Sequence, residues 1–175
     1  MTEKIITSFI LFFIFQASYS CTISKSENIQ HENHINWLSL KEIKSSLQDH
    51  KKLNIGFDVD DTLLFSSSGF YRGQQKYSPH SLKYLKNKTF WQHINNDWSW
   101  FAIPKESAAK LIQLHLNRGD NLYFITGRPK TKTEELTEVL KNDFNIPDNK
   151  MHEVIFTGTN KNAKQKYIKD LNILR

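Results

Sequence analysis

Three short apolar runs punctuate this chain: 53-LNIGF-57, 121-NLYFIT-126 and 153-EVIF-156. Continuous runs of this length, bounded by polar residues, predict buried strands. Between them, apolar positions recur at helical spacing. Ser39-Leu40-Lys41-Glu42 has the form of a capping box, and Ile43 and Leu47 follow on one side, so a helix is expected there, ending near 49-DHKK-52. Pro104 suits the first position of a second helix, which carries Ala108, Leu111, Ile112, His115 and Leu116 and is ended by Gly119. A third helix is expected from roughly Thr133 to Asn142, and a final one from about Asn162 to Asp170. The closing residues, 172-NILR-175, have the pattern of a fourth strand at its start. Strands alternating with helices imply an α/β fold, a parallel sheet with helices on both faces.

Two stretches break this rhythm. Residues 66–103 are loop-rich and aromatic, with Phe70, Tyr71, Tyr77, Tyr84, Phe90, Trp91, Trp98, Trp100 and Phe101. That is too much chain for a strand-to-helix connection, so an inserted segment with a small core of its own is expected. Residues 21–37 are polar and Asn-rich without any period, which predicts an exposed N-terminal arm. Before it, Lys4 precedes an apolar run from Ile5 to Phe15, and small residues stand at Ser18 and Ser20. This is the pattern of a secretory leader over residues 1–20, too short to span a bilayer as a helix. Cleavage after Ser20 would expose Cys21, the position that carries lipid in bacterial lipoproteins. Tyr19 makes a poor lipidation signal, so a soluble periplasmic protein is favoured over a lipoprotein. Cys21 is the only cysteine, which rules out an internal disulfide.

Charge narrows the partners. The chain has 175 residues, enough for one domain, and a formal net charge of +6. That balance suits anionic ligands. The lysines are scattered, with no arginine-rich stripe and no zinc-finger spacing, so a nucleic acid polymer is not the expected partner.

The chemistry lies just past the first strand. Asp58, Asp60 and Asp61 crowd together where the apolar run ends. In a parallel sheet, ligands bind beyond the carboxyl ends of the strands. Residues i and i+2 of an extended backbone point the same way, so Asp58 and Asp60 can share one cavity, while Asp61 need not. A carboxylate that attacks phosphorus forms an aspartyl phosphate, and a second acid two residues on can protonate the leaving oxygen. A Mg2+ ion would offset the repulsion between carboxylate and phosphate. A calcium loop is the competing reading, but the further acidic or Asn ligand and the Gly at set spacing are missing.

Asp58-Val59-Asp60-Asp61-Thr62 resembles the DxDx(T/V) motif of the haloacid dehalogenase (HAD) superfamily. The resemblance implies a phosphate-binding Ser or Thr at the end of the second strand, met by Thr126 with Gly127 after it. It also implies a lysine at a later helix start, where Lys164 is the choice and Lys161 and Lys166 are rivals. More closely, FDVDDTLLFSSSGFYRG, YSPHSLKYLKN, FWQHINNDW, IPKESAAKLIQLH, RGDNLYFITGR and VIFTG resemble the bacterial class B acid phosphatases, from about residue 37 onward. That family implies an exported, Mg2+-dependent homotetramer that hydrolyses nucleotides and other phosphomonoesters and transfers phosphate to alcohols. By resemblance Asp58 is nucleophile and metal ligand, and Asp60 is acid/base and metal ligand through its carbonyl. Thr126, Gly127 and Lys164 hold the phosphate, and Phe70, Leu85 and Trp91 line an apolar leaving-group pocket. Arg128 either contacts substrate or braces the loop. Core packing of the insert is the alternative for the three apolar residues. The family's fourth motif, an acidic cluster completing the Mg2+ site, follows shortly after the segment matching Leu171 to Arg175, where this sequence stops. The expectation is therefore a phosphatase domain over 38–175 lacking its last strands. The alternative is a truncated remnant that at most binds phosphate or nucleotide.

Overall fold

The computed structural model describes residues 37–160 and 162–173. The expected leader, Cys21, nearly all of the arm, Lys161 and the last two residues of the expected fourth strand lie outside that range. In chain order the elements are α1 (Leu40–Ser46), β1 (Asn54–Asp58), β2 (Leu64–Phe65), α2 (Ser67–Tyr77), α3 (Lys88–Ile94), β3 (Ile103–Pro104), α4 (Glu106–Arg118), β4 (Asn121–Thr126), α5 (Leu136–Asp143), β5 (Ile155–Phe156) and α6 (Ala163–Asp170). The sheet is parallel, in the order β1-β4-β5. Its register aligns Asn54 with Asn121 and Asp58 with Ile125. Among the described residues, no helix is long and apolar enough to cross a membrane.

The apolar runs become strands by burying side chains in one shared core. Phe57, Leu122, Phe124 and Ile112 are buried in one cluster with Leu136, Val139, Leu140 and Phe144 of α5 and its C-terminal end. The capping box at α1 forms as the sequence predicts: Glu42 N donates to Ser39 Oγ, and Ser39 N donates to the Glu42 carboxylate at 2.7 Å. Gly119 closes α4 in the left-handed region at φ 79°, which glycine adopts without a Cβ clash.

Several elements differ from expectation. The insert is mostly helical rather than loop-rich. Its α2 starts Ser-Ser-Gly, poor helix formers, and is held instead by tertiary contact. A Cβ at Gly73 would sit 2.3 Å from Phe90 Cε2, so glycine lets α2 close onto α3. The insert does have its own core: Tyr84, Phe90, Trp91, Ile94 and Trp98, with Phe70, Tyr77 and Leu85 against them. Pro104 does not start α4. It pairs with Leu64 in a two-stranded antiparallel ladder, where a missing N–H is tolerated, and Lys105 N extends the contact to Leu63 O. Helix α5 starts at Leu136 rather than Thr133 because the preceding loop is tied to α3. Asn95 Nδ2 donates to Pro129 O and Thr131 Oγ1, and Gln92 Nε2 to Thr133 Oγ1. After α6, Asn172 takes a left-handed turn and Ile173 is irregular, so no fourth strand begins within the described residues. Instead Asn54 Nδ2 donates to Leu171 O at 2.7 Å, and Ile173 covers Gly56.

The amino ends of the strands are fastened by Asp120, whose side chain is wholly buried. It accepts from Leu53 N at 3.0 Å, from Arg118 Nε at 3.0 Å, and meets His115 Nδ1 at 2.8 Å. Burial pushes this carboxyl up, but hydrogen bonds from His115, Leu53 and Arg118 outweigh it and hold Asp120 below the ordinary carboxylate range.

Candidate active site

At the opposite end of the same strands, Asp58 is the last residue of β1 and Thr126 the last of β4. Val59 is fully buried, so the chain leaves the sheet anchored between two carboxylates. Asp58 Oδ1 accepts from Val59 N at 2.8 Å and from Lys164 Nζ at 2.6 Å. Of the candidate lysines described, Lys164 is the one that reaches it. A Cβ added at Gly127 would meet Lys164 Cε at 3.9 Å and Gly158 O at 4.0 Å, so Gly127 borders the same spot. Asp58 and Lys164, with Gly56, Phe57, Ile125, Ile168 and Ile173, flank a cavity of about 260 Å³.

Asp60 has different partners. Thr126 Oγ1 donates to Asp60 Oδ2 at 2.9 Å. Arg128 Nε lies 3.1 Å from both carboxylate oxygens, and Arg128 Nη2 donates to Oδ1 at 2.6 Å. Burial pushes the Asp60 carboxyl up. The Arg128 guanidinium, with hydrogen bonds from Arg128, Ser66 and Thr126, overcomes this and holds it below the ordinary range.

Asp61 turns away. Its backbone is left-handed at φ 54°, its carboxylate accepts from Ser66 N and Ser67 Oγ, and its carbonyl accepts from the Lys105 ammonium. It shapes the corner after β1.

Phe70, Leu85 and Trp91 lie together in the insert. Phe70 packs edge-on to Trp91 at 6.1 Å, and Trp91 Nε1 donates to Leu85 O at 2.8 Å. Trp91 also lines a cleft of about 350 Å³ with Lys88, Gln92, Pro129 and Thr131. A larger groove of about 800 Å³ runs between α1 and α4, lined by Leu40, Lys44, Ala109 and Gln113. It contains none of the carboxylates above, so volume alone does not mark the chemistry.

The family model for HAD superfamily, subfamily IIIB (acid phosphatase) matches residues 15–172. The chain belongs to that subfamily. It is 53% identical over 138 residues to the class B acid phosphatase of Xenorhabdus bovienii (strain SS-2004), covering 78% of this chain and 58% of that protein. Against the class B acid phosphatase of Rahnella sp. (strain Y9602) it is 48% identical over 147 residues, 83% of this chain and 62% of the relative. The class B acid phosphatase of Proteus mirabilis (strain HI4320) is 49% identical over 138 residues, 79% and 58% of the two chains. The chain thus spans about six tenths of the length of these relatives.

For this subfamily IIIB chain, the site offers oxygen donors of the kind a hard divalent cation takes. Among the described residues, Asp58 Oδ2 receives no hydrogen bond and the Asp60 carbonyl accepts none, while no group of three or more His, Cys, Asp or Glu side chains stands ready to hold a metal. Asp58 and the Asp60 carbonyl therefore fit such an ion as a partial donor set. One feature escaped the sequence: the ties from Gln92, Asn95 and Asn96 of the insert to the loop after Thr126. The cluster 92-QHINN-96 was the available signal, since buried Asn side chains need partners.

Proposed function

We propose that this chain hydrolyses phosphomonoesters, nucleotides and aryl phosphates among them, through an aspartyl phosphate on Asp58. The observation that carries the reading is the convergence of Asp58, Lys164 and Gly127 beside Asp60 and Thr126 at the carboxyl ends of β1 and β4. The Asp58 carboxylate attacks phosphorus in line, and the bond to the leaving oxygen breaks. Asp60 gives that oxygen a proton, then takes one from the water that cleaves the acyl phosphate. An alcohol in place of water would give phosphotransfer. Thr126, Gly127 and Lys164 hold the phosphoryl oxygens, and Phe70, Leu85 and Trp91 pack the apolar leaving group. Asp58 and the Asp60 carbonyl would hold Mg2+, which when bound offsets the repulsion between carboxylate and phosphate.

The Asp60–Arg128 pair bears on pH. A carboxyl held below its ordinary range stays ionised further into acid, so the pair keeps Asp60 as a base and its proton-donating form grows only as pH falls. The leader-like segment over residues 1–20 supports export to the periplasm, with lipidation at Cys21 as the lesser alternative. The likeness to class B acid phosphatases supports a homotetramer built by the whole protein.

The test is turnover of p-nitrophenyl phosphate by the purified chain at mildly acidic pH, with and without Mg2+. Wild type is expected to turn over, and Asp58→Asn to lose at least about 10³-fold, since the nucleophile is gone. Undiminished turnover by that variant would sink the mechanism. Calorimetric phosphate binding without any turnover would point to a binding protein instead.

A further inference from the structure

Arg128 is among the most buried side chains of the molecule, 1% exposed, yet it carries a permanent charge. Every nitrogen of its guanidinium is engaged. Nε and Nη2 fork onto the Asp60 carboxylate, while Nη1 donates to Ile94 O at 2.5 Å and lies 3.4 Å from Ser99 Oγ. Ile94 is the last residue of α3, and Ser99 Oγ itself donates to Ile94 O at 2.7 Å. The Arg128 Cζ atom also sits 6.0 Å from the centroid of the Phe70 ring. One side chain therefore touches Asp60 at one end and the insert's aromatic core at the other.

We propose that Arg128 is a positioning residue that fixes the Asp60 carboxylate and couples its orientation to the packing of the insert. This rests on the phosphatase reading above. It separates two roles, contact with the substrate phosphate and bracing, in favour of a specific form of bracing. Turning the guanidinium toward a phosphate would take from Asp60 its charged partner and leave the Ile94 carbonyl with Ser99 alone, which is costly. A planar fork holds a carboxylate in one plane, and Lys cannot reproduce that. Because Phe70 and α3 flank the same arginine, a leaving group seated against Phe70 and Trp91 presses on the element that aims Asp60.

The test exploits the fact that p-nitrophenolate leaves without a proton, whereas an alkoxide does not. Arg128→Lys and Arg128→Ala should lower kcat/KM, which reports attack by Asp58 and departure of the leaving group, about 100-fold for glycerol phosphate, the scale of general acid catalysis, but less than about 5-fold for p-nitrophenyl phosphate. KM for glycerol phosphate should stay within about threefold, as expected when ground-state binding is untouched. Ethylguanidinium in the buffer should restore part of the glycerol phosphate turnover of Arg128→Ala. Inorganic phosphate, titrated calorimetrically, should bind Arg128→Ala within about threefold of wild type, while Lys164→Met weakens it at least about tenfold. Equal loss of kcat/KM on both substrates would reduce Arg128 to a structural residue. A shared rise in KM, with loss of phosphate affinity, would make it a phosphate ligand; either result overturns the proposal. If wild type hydrolyses neither substrate, the phosphatase reading fails on its own, and the phosphate titration still decides about Arg128. Should Arg128→Ala lack native circular dichroism, Arg128→Lys, which keeps the buried charge, carries both measurements.

Discussion

The two ends of β1 and β4 solve the same problem in opposite ways. Each end places aspartate next to arginine. At the amino end, Asp120 is sealed: both oxygens are bonded, to Leu53, His115 and Arg118, and the side chain has no exposure. At the carboxyl end, Asp60 is braced by Arg128 but retains 21% exposure, and Asp58 is 44% exposed beside Lys164. A sealed carboxylate can only hold the fold together. A carboxylate that keeps part of its surface open can hold its direction and still meet a ligand. The difference is exposure, not the residue type or the number of partners.

Breaking one end at a time should separate fold from chemistry. The largest effect is expected from Asp58→Asn, which removes turnover by at least about 10³-fold, with circular dichroism and melting temperature near those of wild type. Asp120→Ala should do the reverse. It leaves His115, Arg118 and Leu53 N facing a lost acceptor, and chemical denaturation should show about 3 kcal/mol of destabilisation, with turnover per folded molecule retained. Substantial loss of turnover in the folded variant would erase the contrast.

Acid should expose the next difference. Both Asp60 and Asp120 sit below the ordinary value of 3.8 in the folded state. The stability such groups add is complete above that value and is lost as pH falls through their depressed folded values. Melting temperature should thus hold across mildly acidic pH and decline only below about 4; replacing Asp120 by Asn should flatten the decline more than replacing Asp60. The smallest effect belongs to Lys164→Met. Its ion pair with Asp58 is solvent-exposed, so stability should shift by no more than about 0.5 kcal/mol, while phosphate affinity falls.

What the sequence made legible follows from range of interaction. The strands at 54–58 and 121–126 are visible as apolar runs because Phe57, Leu122, Phe124 and Ile125 are buried in them. The α1 cap and the Gly119 stop are visible because both are local. The order Asp58, Thr126, Lys164 was legible as motif and spacing, and the structure sets Lys164 on Asp58 and Thr126 on Asp60. The insert was misread because its helices depend on distant fit: Gly73 looks like a helix breaker until Phe90 fills the space beside it. Pro104 misled for a related reason, since β3 exists only through Leu64 and Phe65, forty residues earlier in rough count. Arg128 was named, but its direction was not, because pairing across 68 residues with Asp60 leaves no local trace.

Thr126 carries one consequence further. A hydroxyl owns a single hydrogen. Here it is given to Asp60 Oδ2, while the oxygen accepts from Arg128 N. The ammonium of Lys164 gives one of its three hydrogens to Asp58. A phosphoryl group seated there would have to outbid Asp60 for the Thr126 hydroxyl, while Lys164 has hydrogens left to offer. Binding at Thr126 would be an exchange reaction, and its selectivity should favour ligands charged enough to win that donor.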